Sequence, residues 1–192
     1  NLVLCTLAAY AFARIRFLGR GVIYFVLLAT LMVPLQVVLI PTFLIVKDLG
    51  LLDRLGALIV PHLASVFGIF MLTQFFRTLP IELEEAARID GASRLSILLR
   101  IVVPLSLPAL ATLAVIQFMW TWNEFLWPLV TILTNQSAFT LQLGLATFQG
   151  AHQSQWHFVA AANIMSMVPI LVLFLLAQRY FVRGIATQGL KG

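Results

Sequence analysis

From Gly21 to Val46 the chain runs without a single Asp, Glu, Lys or Arg, and the same holds from Leu55 to Phe76 and from Ile101 to Asn123. A helix needs about 20 mostly apolar residues to cross the hydrocarbon core of a bilayer. Three such stretches in 192 residues leave too little polar surface to cover a soluble core. Charged residues make up only 10% of the chain, against roughly 25% in ordinary soluble domains. The mean hydropathy of +1.02 agrees. These features predict an all-α, polytopic transmembrane bundle whose solvent is lipid.

A fourth uncharged stretch, Phe125 to Gln178, is too long for one helix. Its middle, 134–156, is rich in Gln, Asn, Ser, Thr and Gly and reads as a polar external segment between two spans. The expected spans are therefore about 2–16, 21–45, 55–76, 105–131 and 157–180, in a single transmembrane domain covering 1–192. Lys and Arg collect on the cytoplasmic side of membrane proteins. With the 14–20 loop, the 77–100 loop and the C-terminal tail on one side, that side holds Arg14, Arg16, Arg20, Arg77, Arg88, Arg94, Arg100, Arg179, Arg183 and Lys191. Only Lys47 and Arg54 lie opposite. The bias assigns 77–100 and the tail to the cytoplasm and 47–54 and 134–156 to the outside.

The net charge of +5 does not point to nucleic acid, because the basic residues stand singly between apolar runs. The lone cysteine, Cys5, sits in an apolar run and reads as a small buried side chain. His62, His152 and His157 have no metal-ligand spacing, and no cofactor is implied. Prolines 34, 41, 61, 104, 108, 128 and 169 fall in or at the ends of the spans. They predict kinks, either as packing or as hinges along a solute path. Trp120, Trp122, Trp127 and Trp156 are placed as interfacial anchors.

Four of the seven acidic residues, Glu82, Glu84, Glu85 and Asp90, lie in the 77–100 loop, which parses as two short helices. Pro80 and the glutamates suit a helix N-terminus. Gly91 suits a left-handed stop, and Ser93 a cap for the second helix. In that second helix Leu95, Leu98, Leu99 and Val102 form a stripe at helical spacing, and Pro104 is expected to end it. Such an elbow is either a surface that meets a partner or an amphipathic connector lying on the membrane.

The same residues carry a resemblance. Glu85-Ala86-Ala87, three residues, Gly91, nine residues and Ile101-x-Val103-Pro104 resemble the EAA loop of importer-type ABC permeases, with Val103 where Leu is usual. Asp90 and Ala92 extend the match. TLAAYAFARIRFLGRG, WNEFLWPL and QRYFVRGIATQGLKG resemble the carbohydrate-uptake, maltose-type branch. Members of this family carry six helices, which implies that the first and part of the second precede Asn1.

The resemblance implies a coupling loop in which Glu85, Ala86, Ala87, Asp90 and Gly91 face a separate ATPase dimer, while Ile101 and Pro104 join the elbow to the next span. It further implies a second, similar permease subunit, an extracytoplasmic solute-binding protein and a prokaryotic cytoplasmic membrane. None of these residues is expected to be catalytic, and the chain lacks a G-x-x-x-x-G-K-[ST] phosphate loop of its own. Glu124, the lone acidic residue within the spans, lies near the outer interface. It either packs by hydrogen bonds or joins Trp120, Trp122 and Asn123 in a solute path. A secondary transporter would show inverted repeats and midplane ionisable groups, and neither is visible. An embedded enzyme would need a constellation around Glu124 or His62 that the sequence lacks.

Overall fold

The computed structural model describes residues 1–150 and 156–188, and these form helices and connecting turns with no strand among them. The helices are α1 (Leu2–Arg14), α2 (Arg20–Ala29), α3 (Leu35–Asp48), α4 (Leu55–Ile59), α5 (Val66–Thr78) and α6 (Glu82–Ile89). They continue with α7 (Arg94–Ile97), α8 (Val103–Leu105), α9 (Leu107–Asn123), α10 (Leu126–Thr131), α11 (Leu141–Gly150) and α12 (Trp156–Gln188). Two helical runs, Leu55–Thr78 and Trp156–Leu176, are long and apolar enough to cross a membrane. The number rises to four if the broken pairs Arg20–Met32 with Leu35–Asp48 and Arg94–Leu105 with Leu107–Asn123 are each one span.

The chain forms two compact units. One contains Asn1–Met32, Ala64–Ala114 and the chain from Ala177; the other contains Val33–Leu63 and Val115–Leu176. The first is built on α1 against α5. Cys5, Ala9, Tyr10 and Phe12 of α1 are buried with Ile69, Leu72 and Phe76 of α5, and with Ala109 and Leu113 at the start of α9. Gly68 sets how closely the helices approach. A Cβ there would lie 2.6 Å from Ser65 Oγ, 3.0 Å from Cys5 Sγ and 3.1 Å from Leu113 Cδ2. Small residues permit this kind of helix contact in membranes. Ser65 Oγ also caps α5 by accepting from the Gly68 amide at 3.1 Å. The burial expected for Cys5 is present.

The second unit is centred on Trp127, buried with Val46 of α3 and Ala57 of α4. Its indole Nε1 donates to the Ala57 carbonyl at 2.9 Å. Trp127 is thus a core residue and not an interfacial anchor, whereas Trp120 and Trp156 are exposed. Asp53 ties the loop after α3 to the loop after α10. It holds a left-handed backbone at φ 57, which Asp tolerates better than most residues. Its carboxylate accepts from the amides of Leu133, Thr134 and Asn135 and from the Thr134 hydroxyl. The Thr134 amide, aided by those of Leu133 and Asn135 and by the Thr134 hydroxyl, holds this carboxyl below its ordinary range.

The predicted span 21–45 is two helices, broken at Val33-Pro34. Pro34 has extended backbone and lacks the amide that would continue the ladder. Likewise the stretch 105–131 breaks twice: at Ser106 the helical axis turns by 80°, and after Asn123 a short gap precedes α10. The segment 134–156 is not a plain polar loop. It contains α11, whose Leu143 is buried with Ile132 and Ala138 and whose Leu145 is buried as well. Residues 151–155 of it, His152 included, lie outside the described residues, as does Lys191.

Candidate functional site: a capped elbow and a tryptophan-lined cavity

After α5 the chain extends through Leu79 and Pro80 and re-enters a helix at Glu82. The turn that ends α6 is a Schellman motif. The Gly91 amide bonds to the Arg88 carbonyl at 3.0 Å and the Ala92 amide to the Ala87 carbonyl at 2.9 Å. Gly91 takes φ +81, a region costly for any residue with a Cβ, and nothing crowds it. Ser93 Oγ then accepts from the Ser96 amide and starts α7. The left-handed stop and the cap expected from sequence are both present.

The stripe expected on the second helix is not. Ile97, Leu98 and Val102 are buried, while Leu95 and Leu99 are each 57% exposed. Leu98–Val102 form a π-helical turn. Its i→i+5 hydrogen bonding rotates the following residues away from the α register. Pro104 does not end the helix either. It lies inside α8, and the bend comes at Ser106, between Pro104 and Pro108. Pro104 has no amide to give the Arg100 carbonyl, which favours the loosened turn before it.

The coupling candidates divide by face. Glu85, Ala86, Asp90 and Gly91 are exposed, and Ile89 beside them is 87% exposed. Ala87 and Ile101 instead pack against the core, and Pro104 is exposed. Glu84, read from the sequence only as a helix N-terminal charge, is buried. Its Oε1 lies 2.7 Å from Arg14 Nε, and its Oε2 accepts from the Tyr10 hydroxyl at 3.1 Å. Arg14 also donates to the Leu79 carbonyl at 2.6 Å. The available signal is helical spacing, since Glu84 shares a face with the inward Ala87. A cavity of about 350 Å³ opens here, lined by Arg14, Arg16, Ile81, Glu84, Glu85, Arg88 and Arg94. Arg16, Arg88 and Arg94 have no ion-pair partner among the described residues.

In the second unit, Trp120, Asn123 and Glu124 line a shallow cavity of about 370 Å³ with Ile116 and Met119. Trp122 is not among its walls. It stacks on Phe118 with ring centroids 5.2 Å apart and donates to the Ser166 carbonyl at 3.1 Å. Glu124 Oε1 accepts from the Trp127 amide in the first turn of α10 at 3.1 Å, while Asn123 Nδ2 donates to the Met119 carbonyl at 2.8 Å. No cluster able to hold a metal ion occurs among the described residues. His62 instead bonds the Leu58 carbonyl and sits edge-on to Trp127.

Apolar helices joined by capped elbows and polar turns define an all-α membrane-protein fold. A family model described as the binding-protein-dependent transport system inner membrane component matches residues 2–187, and the chain belongs to that family. It is 36% identical over 192 residues to the arabinooligosaccharides transport system permease protein AraQ of Halalkalibacterium halodurans, covering 100% of this chain and 68% of that protein. It is 42% identical over 182 residues to the sn-glycerol-3-phosphate transport system permease protein UgpE of Yersinia pestis, covering 93% of this chain and 64% of the relative. A chain in the crystal structure of a bacterial ABC transporter involved in the import of the acidic polysaccharide alginate superposes with a TM-score of 0.82 at 29% identity. The match covers 94% of this chain and 68% of that one. The chain thus spans about two thirds of the length of these proteins. The family and the fold class implied by the EAA spacing are those found.

Proposed function

We propose that this chain is the membrane-spanning subunit of an ATP-driven importer for a sugar or sugar-like solute, working beside a second permease subunit. ATP hydrolysis resides in a separate cytoplasmic ATPase dimer, and an extracytoplasmic binding protein delivers the solute. The 77–100 loop and the C-terminus face the cytoplasm, and the domain spans the membrane throughout. The observation that carries the reading is the outward face of α6. Glu85, Ala86 and Ile89 stand exposed on a helix whose opposite face is locked down, beside the Gly91 turn. An Ile left 87% exposed beside a carboxylate on a helix fixed from behind supports a surface that meets a partner chain. Arg16, Arg88 and Arg94 add a charged border that supports an acidic partner surface.

The solute path is assigned to Trp120, Asn123 and Glu124, an aromatic face beside polar groups, with Trp122 holding α9 from behind. The names of the relatives support a sugar-like solute. Co-expression of the chain with the ATPase and permease genes beside its own tests the docking surface. The native loop is expected to retain the ATPase through purification, and Glu85→Lys with Gly91→Asp to lose it while still inserting in the membrane. Equal recovery of the ATPase with both loops would refute docking through α6.

A further inference from the structure

From the buried polar cluster under α6 we infer that Glu84 is a positioning residue that makes the ATPase-facing helix one rigid body with α1. The inference rests on the reading of α6 as the helix that meets the ATPase. Three contacts converge on one point. Glu84 Oε1 pairs with Arg14 Nε at 2.7 Å, and Tyr10 donates to Oε2 at 3.1 Å. The guanidinium that holds Glu84 also holds the Leu79 carbonyl at 2.6 Å. Arg14 therefore grips the chain on both sides of the Pro80 turn, at the end of α5 and in the first turn of α6. Both charged side chains are almost wholly shielded, Arg14 being 7% and Glu84 3% exposed.

A buried ion pair is weak evidence for stability, because desolvation offsets the attraction. What it does supply is geometry, since a shielded carboxylate held by a guanidinium and a phenol has few alternative places to go. α6 needs this. It is a helix of two turns, connected by an extended segment before it and a glycine turn after it, with only Glu84 and Ala87 facing inward. Without the clamp, a push on the exposed face would rotate α6 on its own hinges. With it, the push passes to α1, which is packed along α5.

The test uses spin labels on Leu83→Cys in α6 and Val3→Cys in α1, both exposed positions and the first turned away from the Glu85–Ile89 face, in a Cys5→Ala background. Pulsed electron-electron distances are measured in the assembled importer without nucleotide and trapped with ATP and vanadate. The native pair is expected to give one narrow distance that is the same in both states. Glu84→Gln is expected to widen the distribution at least twofold, and Glu84→Asp to bring it back most of the way. The double variant Arg14→Met with Glu84→Met leaves no orphaned buried charge, so it serves if Glu84→Gln does not accumulate, and the same widening is expected. Widths that less than double in these variants would overturn the clamp. Retention of the ATPase is read on the same preparations, and the distances are also taken on the permease alone. A native chain that fails to hold the ATPase refutes the docking reading, while the distance widths still decide whether Glu84 fixes α6 to α1.

Discussion

At the scale of single residues, two carboxylates outside the apolar core do opposite kinds of work. Glu84 is buried and partnered by a cation. Asp53 is half-buried and partnered by backbone amides. Amide donors favour the charged carboxylate, so the Asp53 pKa is lowered in the folded protein. The sign follows directly. A depressed carboxylate contributes stability that is complete above its unfolded value of about 3.9 and fades as pH falls through its lower native value. Carbon-detected titration of the Asp53 carboxyl is expected to give a midpoint below about 3.9. A midpoint at or above that value would mean the three amides do not hold it. Nothing in the sequence marks Asp53, since its partners lie eighty positions away along the chain.

At the scale of elements, helix ends were legible and helix faces less so. Ser93 and Gly91 act through bonds to residues within a few positions, and a sequence displays such neighbours. The stripe Leu95-Leu98-Leu99-Val102 was misread because a π turn changes the register that periodicity assumes. Close approach of α5 to α1 is similarly a packing property. It yields a prediction at Gly68, where an added methyl meets Ser65 Oγ, Cys5 Sγ and Leu113 at once. Overpacking of this kind costs roughly 1–3 kcal/mol. Gly68→Ala is therefore expected to lower the thermal midpoint in detergent and to speed thiol labelling of Cys5, which is buried in the native fold. Unchanged labelling would show that α1 and α5 can separate there without strain.

For the whole molecule, the exposed apolar faces need lipid and partner chains as solvent. Ile164, Met165, Leu171 and Leu175 of α12 each lie more than half exposed. A helix apolar all round is stable only against hydrocarbon or other helices. The proposed orientation predicts the outcome of labelling in a Cys5→Ser background with a membrane-impermeant maleimide. Leu49→Cys is expected to react in intact cells, and Leu95→Cys only after the membrane is opened. Both positions are exposed. Reaction of Leu95→Cys in intact cells would reverse the assignment of sides.

By itself the sequence determined the solvent, the fold class, the caps of the elbow and the family, because composition, local hydrogen bonding and motif spacing are properties of neighbours in the chain. The breaks before Pro34 and around Ser106 were half visible, as prolines that predict kinks without fixing where the axis turns. Tertiary structure alone decided that Glu84 turns inward to Arg14 and Tyr10, that Trp127 is core, that Trp122 leaves the cavity its neighbours line, and that Asp53 pins a distant loop. Each of these rests on a contact between residues tens of positions apart or on the rotation of a helix about its axis. Neither quantity is fixed until the helices have packed.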